Sequence, residues 1–175
     1  MRICNIPEGT FYGVDGIPFS EIKKDKDGEV VCKMDKDGNY LGEKVAGPDE
    51  KMVILVMPER TEVGFLRILT LAVLGIQKEI VAENAANKET VGISWEDTEC
   101  GTGVIRAINV AKDGGQLELE DHAYKWLWDK FDKYGPRLYS YNALLIREVL
   151  ESPEIITQTR AEKRRDEPKP KNKKR

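Results

Sequence analysis

The chain has 175 residues, 40% hydrophobic and 34% charged, with a formal net charge of −3. That suffices for one core of ordinary size, is too little for two, and is too apolar for a wholly disordered protein. Cys4, Cys32 and Cys100 are scattered and His122 is the single histidine, so the clustered ligands of a structural zinc site are missing and a reducing compartment is favoured over secretion.

Along residues 1–57 the pattern predicts short strands and turns. Asp25-Lys26-Asp27-Gly28 recurs ten residues later as Asp35-Lys36-Asp37-Gly38, and each Asp-Gly pair suits a tight hairpin turn. Glu29–Met34 is the predicted strand between them, with Phe19 and Ile22 before and Tyr40, Leu41 and Val45 after, which makes a small antiparallel meander. Met52–Met57 is apolar at both parities and reads as a strand covered on both faces, stopped by Pro58. A helix is expected from about Thr61, capped by Thr61 or Glu59, with Phe65, Leu66, Leu69, Val73, Ile76, Ile80 and Val81 on one face and a possible break at Gly75.

Residues 88–102 read as loop, and 103–112 as a short helix with Val104, Ile108 and Ala111 inward. Leu117–Glu120 is either a short strand or an extended lead into the next helix, which turns Tyr124, Leu127, Trp128 and Phe131 to one side. Gly135-Pro136 is expected to turn the chain into a last helix packing through Leu144, Leu145 and Val149, so that 119–151 forms a helical hairpin. Strands, then helices, a short strand and helices again predict an α+β fold: a small antiparallel N-terminal meander packed with a helical C-terminal half. The expected organisation is one domain over 1–156 and a basic, disordered tail over 157–175, which lacks the apolar residues to offset the entropy of ordering and is interrupted by Pro168 and Pro170.

Candidate chemistry is thin. Aligned as EF-hand loops, the two Asp-rich turns put Lys23 and Met34, or Lys33 and Lys44, where the first and twelfth ligands belong, so they read as ordinary turns. Gly101-x-Gly103 lacks the rest of a dinucleotide fingerprint, and Gly114-Gly115 lacks the Lys-Ser/Thr of a phosphate loop. His122 beside Asp121 at a helix start reads as a surface or capping residue. A catalytic role would require the fold to bring it to Cys100 or a carboxylate. No metal, cofactor or catalytic residue is therefore assigned, and an enzyme is not the leading reading.

The aromatics carry more. Trp126 and Trp128 lie about 200° apart around a helix, so with Trp128 in the core Trp126 is expected to face solvent or a partner. Trp126, Tyr134, Arg137, Tyr139 and Tyr141 form the predicted protein-interaction set, for a protein partner or a homo-oligomer. The tail holds nine bases against three acids, a local +6 that leaves −9 on the body. Lys163, Arg164, Arg165, Lys171, Lys173, Lys174 and Arg175 are its candidate contacts to nucleic acid or an acidic protein surface. The longest apolar runs, Met52–Met57 and Ile68–Ile76, are too short or interrupted to span a bilayer, and the N-terminus has no signal-peptide pattern, so a cytoplasmic protein without a membrane partner is expected.

Residues 106–151, a helical segment leading through Leu117-Glu118-Leu119-Glu120-Asp121 into a helical hairpin that ends near Leu150, resemble small accessory proteins of tailed phages and prophages. The resemblance covers little more than a quarter of the chain and contains no catalytic motif. It implies a role in building or regulating phage particles, in the host cytoplasm or the virion. The leading expectation is thus a non-enzymatic assembly or protein-interaction protein. The alternative is a nucleic-acid-associated accessory protein acting through its tail.

Overall fold

A computed structural model describes residues 1–46, 52–87, 92–151 and 153–155, so the basic tail and its seven predicted contacts lie outside the described residues. The chain folds as α+β. A helical body rests on a small sheet, and a β arm extends from it.

Helix α1 (Phe65–Asn87) is the centre of the body and buries Phe65, Leu66, Ile68, Leu69, Ala72, Val73, Ile76 and Ile80, the face its periodicity predicts except for Val81, which is exposed on the opposite side. It starts later than Thr61, because residues 60–62 are drawn into a strand and Gly64 bridges Thr10. It also runs straight through Gly75. A Cβ there would sit 3.1 Å from Leu138, so the glycine admits a neighbouring helix instead of breaking its own.

Helix α2 (Trp95–Val110) begins eight residues before the predicted start. Ser94 caps it: its Oγ accepts the Asp97 N–H at 3.0 Å and donates to Asp97 Oδ2 at 2.7 Å, while Glu96 and Asp97 supply the negative charge that suits a helix N-terminus. Strand β6 (Gln116–Leu119) follows and pairs antiparallel with β1 (Arg2–Asn5), whose other edge takes β7 (Glu154–Ile155). Leu117 and Leu119 alternate into the core opposite Cys4 and Arg2.

Helix α3 (Asp121–Tyr139) continues through Gly135-Pro136 rather than turning there. Pro136 falls in its last turn, and packing holds that turn helical: Leu138 sits on Gly75, Tyr134 is buried, and Gly135 lies close under the Phe131 ring. The turn comes at a 3-10 segment, Ser140–Asn142, before α4 (Ala143–Glu151). The last helix buries Ala143, Ile146 and Leu150, one position round from the predicted face, and leaves Leu144 exposed. The helical hairpin thus exists with its corner five residues later. Ser140 makes that corner at φ 51° and ψ −130°, a conformation natural only to glycine.

The described residues between 10 and 64 form the arm, and its topology differs from a simple meander. An outgoing strand and a returning strand pair as one antiparallel ribbon: Thr10 with Gly64, β2 (Ser20–Ile22) with β5 (Arg60–Glu62), Cys32 with Pro58, and β3 (Gly42–Ala46) with β4 (Met52–Val56). Between each of these stations the outgoing chain spends ten residues while the return strand spends two. The excess of eight residues leaves the ribbon as a side hairpin and comes back in register. Three such hairpins, 11–19, 23–31 and 33–41, bud from one strand.

Candidate functional site

Each hairpin leaves the ribbon at a three-way junction closed by a ring of three backbone hydrogen bonds. At the base, Phe11 N–H donates to the Val63 carbonyl (3.1 Å), Phe19 to Phe11 (2.9 Å) and Val63 to Phe19 (3.0 Å). Lys23, Glu59 and Val31 repeat the ring at 2.7–2.9 Å, and Lys33, Met57 and Leu41 at 2.8–2.9 Å. Every junction residue donates once and accepts once, so the branch leaves no backbone group of the ring unpaired.

The tips explain why the sequence branches where it does. Gly28 and Gly38 close their turns by donating to Asp25 (3.2 Å) and Asp35 (3.3 Å), and both glycines hold positive φ, as does Gly16 in the first hairpin. Asp25 Oδ1 accepts the N–H groups of Asp27 and Glu29, and Asp35 Oδ1 those of Asp37 and Asn39, each at 2.9 Å. The backbone and side-chain hydrogen bonds from Asn39 hold the Asp35 carboxyl below its usual range. These aspartates are therefore occupied as turn braces, as the sequence suggested when it excluded a calcium loop.

Among the described residues the arm is anchored only at its base. Phe11 and Phe19 pack against each other, Phe11 packs edge-on against Phe65, and Phe19 against Tyr139. Asn142 Oδ1 accepts the Val14 N–H at 2.9 Å, and Arg67 pairs with Glu21 at 2.7 Å. Beyond that, among the described side chains from 7 to 62 none is buried, and Tyr12, Val14, Ile17, Ile22, Val30, Met34, Tyr40, Leu41 and Met57 are all exposed. Met57 bears on the expectation that 52–57 is covered on both faces, since it lies open.

The predicted interaction set divides. Trp126, expected outward, is only 7% exposed, and Tyr134 only 2%. Trp126 turns inward because Gly101 of α2 leaves room for its ring and Asp97 takes its indole N–H at 2.7 Å. Trp128 is the more peripheral of the two, stacked on Tyr124 with the Arg147 guanidinium above it. Tyr134 donates a short hydrogen bond to Glu83, which Lys133 also holds at 2.7 Å, so this pair clamps α3 to α1. Hydrogen bonds from Lys133 and Tyr134 keep the Glu83 carboxyl below its usual range. Tyr139 is half-buried, its hydroxyl on the Ile68 carbonyl at 3.3 Å, and burial pushes its pKa to about 12. Arg137 reaches Glu79 at 4.0 Å and is largely exposed, and Tyr141 is open to solvent. The aromatic excess in α3 is thus mostly core.

The cleft between α2 and α3 is lined by both His122, on α3 with Lys125, Asp129 and Lys130, and Cys100, on α2 with Asp97. The chemistry of a nucleophile is not assembled there. Burial pushes the Cys100 thiol up, and Glu96, Glu99 and Asp97 push it further, opposite to the shift a reactive thiolate needs. His122 is exposed and faces Glu120 at 3.4 Å. Burial raises the Asp97 carboxyl, but hydrogen bonds from Lys130, Ser94 and Trp126 outweigh it and leave the group ionised, a structural hub rather than a proton donor. Among the described residues no cluster of His, Cys, Asp and Glu could hold a metal ion, and no helix is long and apolar enough to cross a membrane. No known protein family, curated protein or solved structure matches the chain.

Proposed function

We propose that this is a non-enzymatic protein-interaction or assembly protein whose docking element is the three-hairpin arm. The observation that carries the reading is the arm's composition against its burial: an ordered backbone with apolar side chains exposed from Tyr12 to Leu41 and at Met57 and, among the described side chains, an anchor only at its base. Ordering backbone costs about 1–2 kcal/mol per residue, and ribbons of two or three strands with no apolar face buried are marginal alone. A partner covering Met34 and Tyr40, which are bridged to each other, or Leu41 and Met57, which are hydrogen-bonded, would supply the missing burial. The resemblance of residues 106–151 to accessory proteins of tailed phages supports particle assembly as the setting.

The test is a Met34→Ser/Tyr40→Ser/Leu41→Ser variant, compared with the native chain by light scattering and by purification from native material. The native chain should self-associate or retain a stoichiometric protein partner. The variant should lose that association with an unchanged melting temperature of the body, since none of the three residues is buried. Association that survives the triple substitution would refute the reading.

A further inference from the structure

A second surface, separate from the arm, lies on the helical body. The outward face of α1 carries Leu71, Leu74, Lys78 and Val81, all exposed and spaced by three, four and three residues, on the side away from its core face. This alternation is the spacing with which one helix offers a seam to another. α2 places Trp95, Thr98 and Thr102 on one face at the same kind of spacing, and Trp95 is 84% exposed although tryptophan is among the residues that most gain from burial. Between the two helices runs a groove of about 580 Å³ whose walls include Leu74, Lys78 and Val81 on one side and Ile93, Thr98 and Thr102 on the other.

We propose that this groove binds an amphipathic helix of another protein, with an acidic residue set within its apolar stripe. The charge in the groove selects the occupant. Lys78 stands between Leu74 and Val81 and has no carboxylate partner among the described residues. A second copy of this chain, laid parallel along α1 with its stripe matched, would set one Lys78 ammonium against the other, and laid antiparallel would set each Lys78 against Leu74 of the other copy, so neither direction gives the cation a carboxylate. The basic tail, at +6 over residues 157–175, has the wrong charge and almost no apolar side chains. A foreign helix with a carboxylate opposite Lys78 satisfies the cation, covers Leu71, Leu74 and Val81, and places Trp95 at the edge of the contact as an aromatic anchor. This is the helix-in-groove mode of recognition, with one polar pair setting the register.

The probe is a designed 21-residue helical peptide with leucine at the seam positions and one central glutamate, paired with a counterpart carrying lysine there. Both are fluorescently labelled and titrated with the full chain by anisotropy. The glutamate peptide should bind about tenfold more tightly than the lysine peptide, Lys78→Glu should reverse that order, and Trp95→Ala should weaken the preferred pair about tenfold. Leu71, Leu74, Lys78, Val81 and Trp95 are exposed, so the variants keep the core intact. The arm variant Met34→Ser/Tyr40→Ser/Leu41→Ser should bind both peptides as the native chain does, so a failure here is distinguishable from a failure of the arm reading. Binding of neither peptide, a preference that Lys78→Glu leaves unchanged, or a dimer in light scattering that Leu74→Asp dissolves would each overturn the proposal.

Discussion

The eight-residue excess at each junction makes a sharp prediction about deletions. Removing Lys33–Tyr40 joins Cys32 directly to Leu41. Leu41 already accepts the Met57 N–H at 2.8 Å, and its own N–H, which donates to Lys33 in the branched form, becomes free to donate to the Met57 carbonyl. The pairs Cys32–Pro58, Leu41–Met57 and Gly42–Val56 then follow one another as an uninterrupted antiparallel ladder. All eight excised residues are exposed, so no core burial is lost. What is lost are three backbone hydrogen bonds, Leu41 to Lys33, Asp35 to Asn39 and Gly38 to Asp35, and those the Asp35 carboxylate accepts from Asp37 and Asn39, at about 0.5–1.5 kcal/mol each. The entropy of ordering the hairpin, about 1–2 kcal/mol per residue, is no longer spent and opposes that loss. The deletion should therefore leave the chain no less stable, and the Met57 amide should stay protected. Removing seven residues, Met34–Tyr40, leaves one residue too many. The ribbon must then bulge or slip, and a slip of one sends every β3 side chain to the opposite face. Hydrogen exchange at Met57 with urea melts of both deletions checks this. Equal destabilisation by the two, or a Met57 amide that exchanges freely in the eight-residue deletion, would refute the junction geometry.

Ser140→Gly should raise stability by about 1 kcal/mol, read as a higher melting temperature, because glycine adopts φ 51° and ψ −130° without the strain a side chain meets there. Asp97→Ala should cost about 2–3 kcal/mol in urea, since it strands the Trp126 indole N–H and removes the partner of Lys130 and Ser94. The same carboxyl gives an acid dependence. Its folded pKa lies below the unfolded value of 3.8, so its contribution is present above that value and is lost as the pH falls through the folded one; Asp97→Asn should flatten that limb of a stability–pH curve. At the alkaline end Tyr139 has a folded pKa of about 12 against 10 unfolded, so the neutral phenol stabilises the fold fully below pH 10 and less as the pH rises toward 12, and Tyr139→Phe should remove this dependence.

The helical half was legible where periodicity alone decides. The core face of α1 from Phe65 to Ile80 and the inward Val104 and Ile108 follow directly from which positions repeat, whereas Leu117–Leu119 becomes a strand, one of its two readings, only through pairing with β1. It was illegible where a glycine or proline serves a neighbour rather than its own backbone. Gly101 and Gly103 make the sequence around Cys100 look like a loop, yet both lie within α2. A Cβ on Gly101 would lie 2.4 Å from Gln77 of α1 and 3.4 Å from Trp126 of α3, so the residue that lowers local helix propensity is the one that lets three helices meet. The same contact decides the fate of Trp126. Two tryptophans two positions apart cannot share a face, but only the space left by Gly101 and the acceptor at Asp97 determine which of them turns in, and neither is visible within α3.

In the arm, the turns were legible and the branching was not, for a reason of counting. Asp-Gly pairs mark Gly28 and Gly38 as turn residues, and consecutive turns are most simply joined as a meander in which each strand pairs with the next. Here Val31 and Lys33, two residues apart, both pair back within their own hairpins while Cys32 between them pairs with Pro58, twenty-six residues further on. Nothing local distinguishes these choices, because alternating residues of one short segment satisfy three different partners. The distinguishing signal is the constant length of nine residues from Phe11 to Phe19, Lys23 to Val31 and Lys33 to Leu41, each with glycine at its sixth place. Equal insertions of even excess preserve both register and side-chain parity along the ribbon, which is what allows three of them to occur in one strand without turning its faces over. A repeat of that kind is selected by the ribbon's geometry rather than by a core, which is why Val30, Met34, Tyr40 and Leu41 can stay exposed without disturbing its register.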